Sequence, residues 1–159
     1  MSIAPIEPAH FPAVLALNEA VVEKTGPLDA ARLAWMISES FQAVQVGDGG
    51  DAFMIAFAEG SAYDSPNYRW LSARYPRFTY VDRIVVAPHA RGRGLARALY
   101  LNLIAATAAS GRPVVTCEVN LQPPNPGSDA FHAALGFSEV GRGSPDGGTK
   151  TVRYLARSI

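Results

Sequence analysis

Two segments near the start of the chain carry apolar residues at every third or fourth position, which is the period of a helix with one buried face. The first segment covers residues 10–23, and the helix-breaking pair Gly26-Pro27 follows it. The second segment covers residues 29–40. The pattern therefore predicts two helices in the first quarter of the chain.

The next part of the chain changes to the short apolar runs of β-strands. Residues 41–46 alternate, residues 52–59 are mostly apolar, and the Gly/Asp-rich residues 47–51 between them form a strong turn signal. A β-hairpin over residues 41–59 is predicted. Residues 61–76 are instead rich in Tyr, Asn, Ser, Pro and Arg without a sustained period, which predicts a long surface loop of the kind that often carries function.

The second half of the chain alternates strands with helices. Its predicted elements, in chain order, are a strand at 78–86, a Gly/Arg-rich turn at 88–94, a helix at 95–109, a strand at 113–119, a short helix from Ser128 or Asp129 to Leu135, and strands at 137–140 and 149–156 joined by a turn at 145–148. Such an order, with hairpins at either end, predicts one α/β domain with a mixed sheet over residues 1–159.

Composition restricts the classes of function. Of 159 residues, 48% are hydrophobic and 18% are charged, which is typical of a folded globular domain. The 14 basic residues balance 14 acidic ones, so the overall charge gives no reason to expect a nucleic acid or a membrane as a partner. The single cysteine, Cys117, excludes an intramolecular disulfide and a cysteine-based zinc cluster.

The first residues lack the basic start and apolar core of a signal peptide. The most apolar stretch, residues 95–109, is interrupted by Arg97 and Asn102 and is too short to span a bilayer. We therefore expect a cytoplasmic protein.

The segment with the clearest chemistry is residues 83–99, where a predicted strand runs through a glycine-containing turn directly into a helix. The first N–H groups of a helix lack internal partners and lie at its partly positive end, so such a turn suits a pyrophosphate. Gly92 and Gly94 remove side chains that would hold a phosphate away, and Ala96 keeps the helix start approachable. Arg91 and Arg93 add local positive charge.

The segment also allows three other interpretations. The glycines could simply form a turn beside solvated arginines. A dinucleotide-binding turn needs a third glycine, but Arg97 stands in that position. A phosphate-binding loop of the NTPase type needs a following Gly-Lys-Ser/Thr, which the segment lacks.

Residues 86–96 resemble motif A of the GNAT N-acetyltransferases, whose core is Arg/Gln-x-x-Gly-x-Gly/Ala, with Arg91, Gly94 and Ala96 in the defining positions. Residues 125–137 resemble the family's downstream element, Asn…Ala-x-x-Phe-Tyr-x-x-x-Gly-Phe. The resemblance is carried mainly by residues 78–140. It implies the GNAT acyltransferase fold, in which helices flank a mixed central sheet whose two central strands, here 78–86 and 113–119, splay apart.

The resemblance also implies a reaction and a cofactor site. An amine of a small molecule, an amino acid or a peptide N-terminus would directly attack the acetyl thioester of acetyl-coenzyme A, without a metal. Main-chain N–H groups of residues 92–96 would hold the pyrophosphate, and the backbone of residues 84–86 would pair with the pantetheine arm. The expected cofactor-binding residues are Ile84, Val85, Val86, Arg91, Gly92, Arg93, Gly94, Leu95, Ala96 and Asn125.

The catalytic acid and base are less defined. His132 stands where the family usually has the Tyr that protonates the departing thiolate; it could take that role or lie on the surface, with Tyr63, Tyr68, Tyr80 or a water substituting. Glu118 and Asp82, on the two splayed strands, are the candidate bases. Alternatively, Asp82 pairs with Arg83 or Arg69, and Glu118 only binds the positive charge of the substrate.

Other residues near these candidates have open roles. Alternation places Cys117 on the other face of the strand from Glu118. A lone buried cysteine is more often part of the packing than a nucleophile. The aromatic and polar residues 63–75 are expected to bind the acceptor, with Tyr63, Asn67, Tyr68 and Tyr80 as substrate-binding candidates. The same segment could instead form the contact of a homodimer. Because Tyr is missing at position 132, a coenzyme A-binding sensor without turnover is the alternative to an enzyme.

Overall fold

The structure is a computed structural model that describes residues 2–145, 147 and 150–159. Thr149 of the last predicted strand, and Asp146 and Gly148 of the turn predicted before it, lie outside the described residues. The chain forms two compact units. The first comprises Met1–Phe57 and Asp82–Leu103, and the second comprises Ala58–Val81 and Ile104–Ile159.

The described residues contain seven strands in one mixed sheet. In chain order they are β1 (Ala4–Pro5), β2 (Gln42–Val46), β3 (Ala52–Ala58), β4 (Thr79–Val86), β5 (Val114–Gln122), β6 (Ser138–Gly143) and β7 (Thr151–Ser158). Their order in the sheet is β1-β2-β3-β4-β5-β7-β6. The predicted mixed α/β sheet flanked by helices is confirmed.

The described α-helices are α1 (Phe11–Ala20), α2 (Val22–Thr25), α3 (Ala30–Glu39), α4 (Pro66–Ser72), α5 (Leu95–Ala109) and α6 (Pro126–Ala134). The first predicted helix is interrupted, because Val21 leaves the helical conformation with φ −128° and ψ 28°. The second predicted helix is α3, and it begins directly after its cap, Asp29. The Asp29 carboxylate accepts a hydrogen bond from the Arg32 N–H at 2.7 Å.

In the first unit, β2 and β3 form the predicted hairpin, with Ala43 opposite Ile55 in antiparallel register. All seven residues of β3 are buried, which explains why its sequence is apolar on both faces. The short strand β1, which the sequence did not predict, pairs with β2 through Ala4 and Gln45. Leu33 and Met36 of α3 are fully buried and contribute to the core of this unit.

In the second unit, β4 and β5 are parallel and pair at two positions, Thr79 with Val115 and Tyr80 with Thr116. Strand β5 pairs antiparallel with β7 along its length, and this register places Glu118 opposite Tyr154. Because the β7 partner continues, β5 extends to Gln122, three residues beyond its predicted end.

The predicted surface loop at 61–76 was wrong, since its centre is helix α4. The Ser65 hydroxyl accepts a hydrogen bond from the Tyr68 N–H at 3.4 Å, and Pro66 occupies the first turn, where its missing N–H costs no hydrogen bond. Tyr68 and Leu71, three residues apart, are the buried side of the helix. A seven-residue helix with only two buried positions is too short to show a period in the sequence.

The start predicted for the last helix was also wrong. Helix α6 begins at Pro126, two to three residues before the predicted caps Ser128 and Asp129. Its cap is Asn125, whose side-chain oxygen accepts a hydrogen bond from the Ser128 N–H at 3.3 Å.

Candidate active site

The first candidate group of residues is the turn that joins β4 to α5, in the first unit. Gly92 and Gly94 have φ of +79° and +72°, which are left-handed values that favour glycine. A Cβ added at either position would meet no atom within 4 Å, so the space beside both glycines is open. Since the helix begins at Leu95, the first N–H groups of its 15 residues have no partner within the helix. The turn therefore has the open main chain and the unpaired N–H groups that the predicted anion site requires.

Two of the three polar side chains at this turn are held by one carboxylate. Asp51 accepts a hydrogen bond from the His89 ring at 2.9 Å and forms an ion pair with Arg93 at 3.5 Å. The hydrogen bond from His89 is the main reason why the pKa of Asp51 lies below its ordinary value. Arg93 is half-exposed and Arg91 is exposed, so both cations lie at the surface of the turn.

The turn fits the diphosphate of coenzyme A. A diphosphate needs several N–H donors and close access to the main chain, and the open glycines and the helix start provide both. On the strand before the turn, Ile84 and Val86 are half-buried while Val85 is buried. The strand thus offers main-chain groups beside alternating half-exposed side chains, as binding of an extended arm would require.

A separate group of candidate residues surrounds Glu118 in the second unit. The Glu118 Oε1 atom accepts hydrogen bonds from the Tyr80 hydroxyl and from the Asn67 side-chain amide, each at 3.0 Å. Tyr80 lies on β4, Asn67 on α4 and Glu118 on β5. Two donors on one oxygen hold the carboxylate in a fixed position.

The hydrogen-bond chain continues from Asn67 to Tyr154 on β7, whose hydroxyl donates to Asn67 Oδ1 at 2.8 Å. The amide of Asn67 therefore donates at one end and accepts at the other, which fixes its orientation. Burial, and next the nearby charge of Glu118, raise the pKa of Tyr154 to about 12. Tyr154 thus keeps its proton at neutral pH and remains a donor.

An aromatic stack supports this chain. The Trp70 and Tyr154 rings are stacked with centroids 3.9 Å apart and planes 13° from parallel, and the Arg74 guanidinium lies 3.8 Å from the centre of the Trp70 ring. Gly141 on β6 makes room for the indole, because a Cβ at that position would lie 2.4 Å from a Trp70 ring carbon. The stack fixes Tyr154 beside Asn67.

A cavity of about 400 Å³ opens beside the stack. Helix α4 contributes Pro66, Arg69 and Trp70, and the opposite side is formed by residues 143–145 and Tyr154. Its volume lies in the range of small-molecule sites.

Sequence comparison decides the class of the protein. Residues 14–137 match the family model described as the acetyltransferase (GNAT) family. The chain belongs to the acetyltransferase (GNAT) family. It is an acetyl-coenzyme A-dependent acetyltransferase. No curated protein sequence matches it.

Solved structures of N-acetyltransferases share the fold of this family member. The NatB acetyltransferase complex bound to CoA and MES aligns with a TM-score of 0.75 and 15% identity, over 100% of this chain and 99% of the other. The ribosomal-protein-S18-alanine N-acetyltransferase from Escherichia coli aligns with a TM-score of 0.66 and 17% identity, over 99% and 93%. A GCN5-related N-acetyltransferase from Kribbella flavida aligns with a TM-score of 0.69 and 19% identity, over 99% and 97%.

Two of the sequence-predicted carboxylates have different surroundings in this acetyltransferase. Glu118 belongs to the hydrogen-bonded chain described above. Asp82 forms an ion pair with Arg83 at 2.7 Å, and both side chains are only 8% exposed. Arg83 also donates to the Asn18 side chain at 3.0 Å. Of the two partners weighed for Asp82, the structure therefore has Arg83.

His132 is buried, so the alternative that it lies on the surface was wrong. Its Nδ1 is 2.7 Å from the Ser128 carbonyl oxygen, and because a carbonyl only accepts, this nitrogen carries the proton in that contact. The ring packs edge-on against Phe131 and Phe137. Burial lowers the pKa of His132, so the ring is neutral at neutral pH.

The remaining predicted residues lie within the packing of the second unit. Tyr63 and Tyr68 are buried with their rings edge-on at 5.9 Å, and the Tyr68 hydroxyl donates to the Ala58 carbonyl at 2.5 Å. Cys117 is buried as expected. Asn125 caps α6. The Tyr68 hydroxyl therefore fastens α4 to the end of β3.

Sequence reasoning did not single out Tyr154 or Gly141, and it counted Trp70 only as one aromatic of a loop. Alternation in the last strand does place Tyr154 on the same face as Val152, and a glycine within a strand does indicate close approach of another group. Both signals depend on knowing which strands are neighbours.

Among the described residues, no helix combines the length and apolar character needed to cross a membrane. Within the same residues, no three His, Cys, Asp or Glu side chains are grouped as a metal site would require.

Proposed function

We propose that this acetyltransferase acts on an amine and that Glu118 receives the proton of the attacking amine. The hydrogen bonds from Tyr80 and Asn67 to one oxygen of Glu118 support this role, because they hold a carboxylate at a fixed position. An amine is protonated at neutral pH and cannot attack until it loses a proton. A carboxylate first attracts the ammonium and then accepts its proton, directly or through a water.

The turn at residues 91–96 is proposed to bind acetyl-coenzyme A, which supplies the acetyl thioester. The N–H groups at the start of α5 would hold the diphosphate, with the exposed Arg91 adding charge at the surface. Main-chain groups of residues 84–86 would bind the pantetheine arm, and an N–H near Val86 would polarise the acetyl carbonyl. We expect Asn125 to contribute by fixing the start of α6 through its capping hydrogen bond.

Asp82 is a weaker candidate for the base than Glu118. Its carboxylate is engaged by Arg83, and taking a proton would cost that ion pair. His132 is assigned to packing and to the hydrogen bond with Ser128, since its Nδ1 proton is already donated within its own helix.

A thiol-release assay tests the proposal. Purified protein is mixed with acetyl-coenzyme A and a panel of small amines, amino acids and peptides with free N-termini, and release of coenzyme A is followed together with the acetylated product. We expect amine-dependent release. If the protein binds acetyl-coenzyme A in a titration but acetylates no member of the panel, the coenzyme A-binding sensor becomes the better explanation.

A further inference from the structure

The cavity beside Trp70 contains a positive charge that the reaction proposed above does not use. Arg69 lines the cavity from α4, and its side chain is exposed. Among the residues that the structure describes, no hydrogen bond or ion pair engages its guanidinium, whereas Arg83, Arg112 and Arg153 in the same chain are each paired with a carboxylate. A planar guanidinium presents paired donors that match a carboxylate.

One residue that lines the cavity is connected to the proposed base by hydrogen bonds. Tyr154 lines the cavity, and its hydroxyl donates a hydrogen bond to Asn67, which in turn donates to Glu118. Glu118 is therefore two hydrogen bonds away from Tyr154, and Tyr154 and Arg69 line the same cavity. A guanidinium in the cavity and a carboxylate held close to its wall would suit a molecule that carries one charge of each sign.

We propose that the acceptor carries both an amine and a carboxylate, with Arg69 binding the carboxylate and Glu118 the amine. This inference rests on the proposed function, because it takes Glu118 to be the group that meets the amine. Arg69 would position the acceptor through its carboxylate and take no part in proton transfer. It would also disfavour polyamines, since a second ammonium would be repelled by the guanidinium.

The size and surface of the cavity restrict the acceptor further. About 400 Å³ is near the lower end for small-molecule sites and suits a molecule of amino-acid size. Trp70, Tyr154, Pro66 and Pro145 supply an apolar surface. The favoured acceptor is therefore a free amino acid with an apolar or aromatic side chain.

Matched pairs of acceptors test the role of the carboxylate. Phenylalanine is compared with phenethylamine, tryptophan with tryptamine and leucine with isopentylamine, and kcat/KM is measured for each. We expect the amino acid to be preferred by about tenfold or more, as for a hydrogen-bonded charged group. In Arg69→Gln the ratio of kcat/KM for the amino acid to kcat/KM for the matched amine should fall to about one. The cause should be a higher KM for the amino acid, with kcat little changed. Arg69→Lys should restore part of the preference.

Arg77→Gln is the matched control, because it removes an exposed arginine of the same unit whose guanidinium is bound to the carbonyls of Ser110 and Gly111. It should leave the preference intact. Equal loss in both variants, or a wild-type preference for the decarboxylated amines or polyamines, would overturn the carboxylate site while leaving amine acetylation standing. If no amine turns over, calorimetric binding of N-acetylphenylalanine against N-acetylphenethylamine decides: a preference for the former that Arg69→Gln removes supports the site, and equal binding rejects it.

Discussion

The hydroxyl of Tyr154 donates a hydrogen bond to the side-chain oxygen of Asn67 at 2.8 Å, between residues 87 positions apart in the chain. Through the other end of that amide, the position of Glu118 depends on a residue near the C-terminus. The proposed base is thus fixed by three separate elements, α4, β4 and β7, which meet only in the folded sheet. The role of Glu118 in proton transfer and the roles of the residues that hold it can therefore be tested by separate substitutions.

Replacement of Glu118 by Gln tests the base. The amide is nearly isosteric but cannot accept a proton, so kcat should fall by about 100-fold or more, within the usual range for a general base. Affinity for acetyl-coenzyme A should stay within about twofold, because Glu118 belongs to the amine side of the proposal. Steady-state kinetics and a coenzyme A titration provide the two numbers. A variant with the wild-type rate would remove Glu118 from the reaction.

Asp82→Asn should lower stability and not turnover. Removing one partner of a buried ion pair leaves the other charge without its counter-charge, at a cost of about 3 kcal/mol, and both side chains here are 8% exposed. The free energy of unfolding in urea measures this loss. At a temperature where the variant is folded, kcat should remain close to that of the wild type. A large fall in kcat with unchanged stability would instead make Asp82 the base.

The two carboxylates show where sequence reasoning succeeds and where it stops. Alternation placed Tyr80 on one face of its strand and Glu118 on one face of the next, and the two side chains are in contact. No sequence pattern could show that Arg83 holds Asp82 while Asn67 and Tyr80 bind Glu118. The partners of Glu118 come from the parallel register of Thr79 with Val115 and from a helix between β3 and β4.

The turn before α5 was easier to predict because its geometry is local. Gly92 and Gly94 require left-handed φ values, and helix α5 begins and ends at the predicted residues 95 and 109. The residues that line the cavity were harder to predict, because their contacts are not local. Trp70 meets Tyr154 through tertiary packing, and the signal for α4 is limited to its cap Ser65 and Pro66.

Gly94→Glu should abolish coenzyme A binding. The new carboxylate would enter the open space beside the helix start and repel the diphosphate. Isothermal titration with coenzyme A measures the effect, and we expect at least a 100-fold weaker Kd. The residue also has φ of +72°, so the substitution also strains the backbone.

Gly60→Glu controls for that strain. Gly60 has φ of +81° and equally open surroundings, but it lies in the turn after β3 and outside the proposed diphosphate turn. The two variants should lose similar stability, while Gly60→Glu keeps its affinity for coenzyme A. Loss of binding in both, or in neither, would contradict the assignment of the turn.

Gly141→Ala should disturb the acceptor side of the site. The new Cβ would lie 2.4 Å from the Trp70 ring, which is confined between Tyr154 and Arg74. Overpacking of this kind costs about 1–3 kcal/mol, and the displaced indole should raise the KM for the amine several-fold. Gly127→Ala is the control, because its Cβ would meet only Asn125 at 3.9 Å. Unchanged Trp fluorescence and KM in Gly141→Ala would show that the indole is not confined.

The pH dependence of the free energy of unfolding should show the contribution of His132. Burial lowers the pKa of His132 from the ordinary value of 6.5. Below pH 6.5, His132 therefore binds a proton in the unfolded chain before it does so in the folded protein. The free energy of unfolding therefore falls as the pH decreases from about 6.5 towards the lowered pKa. The facing charges partly oppose each other, since Asp129 raises this pKa and Arg153 lowers it.

The variant His132→Gln isolates that contribution. Gln can still donate to the Ser128 carbonyl but does not titrate, so its stability should be flatter than that of the wild type between pH 7 and pH 5. The carboxylates with lowered pKa, Asp51, Glu59 and Glu139, lose their contribution only below their ordinary values of 3.8 to 4.5, which separates the two effects. Urea unfolding at half-unit steps measures the difference. Parallel curves for the two proteins between pH 7 and pH 5 would mean that His132 accepts a proton as readily in the folded state as in the unfolded one.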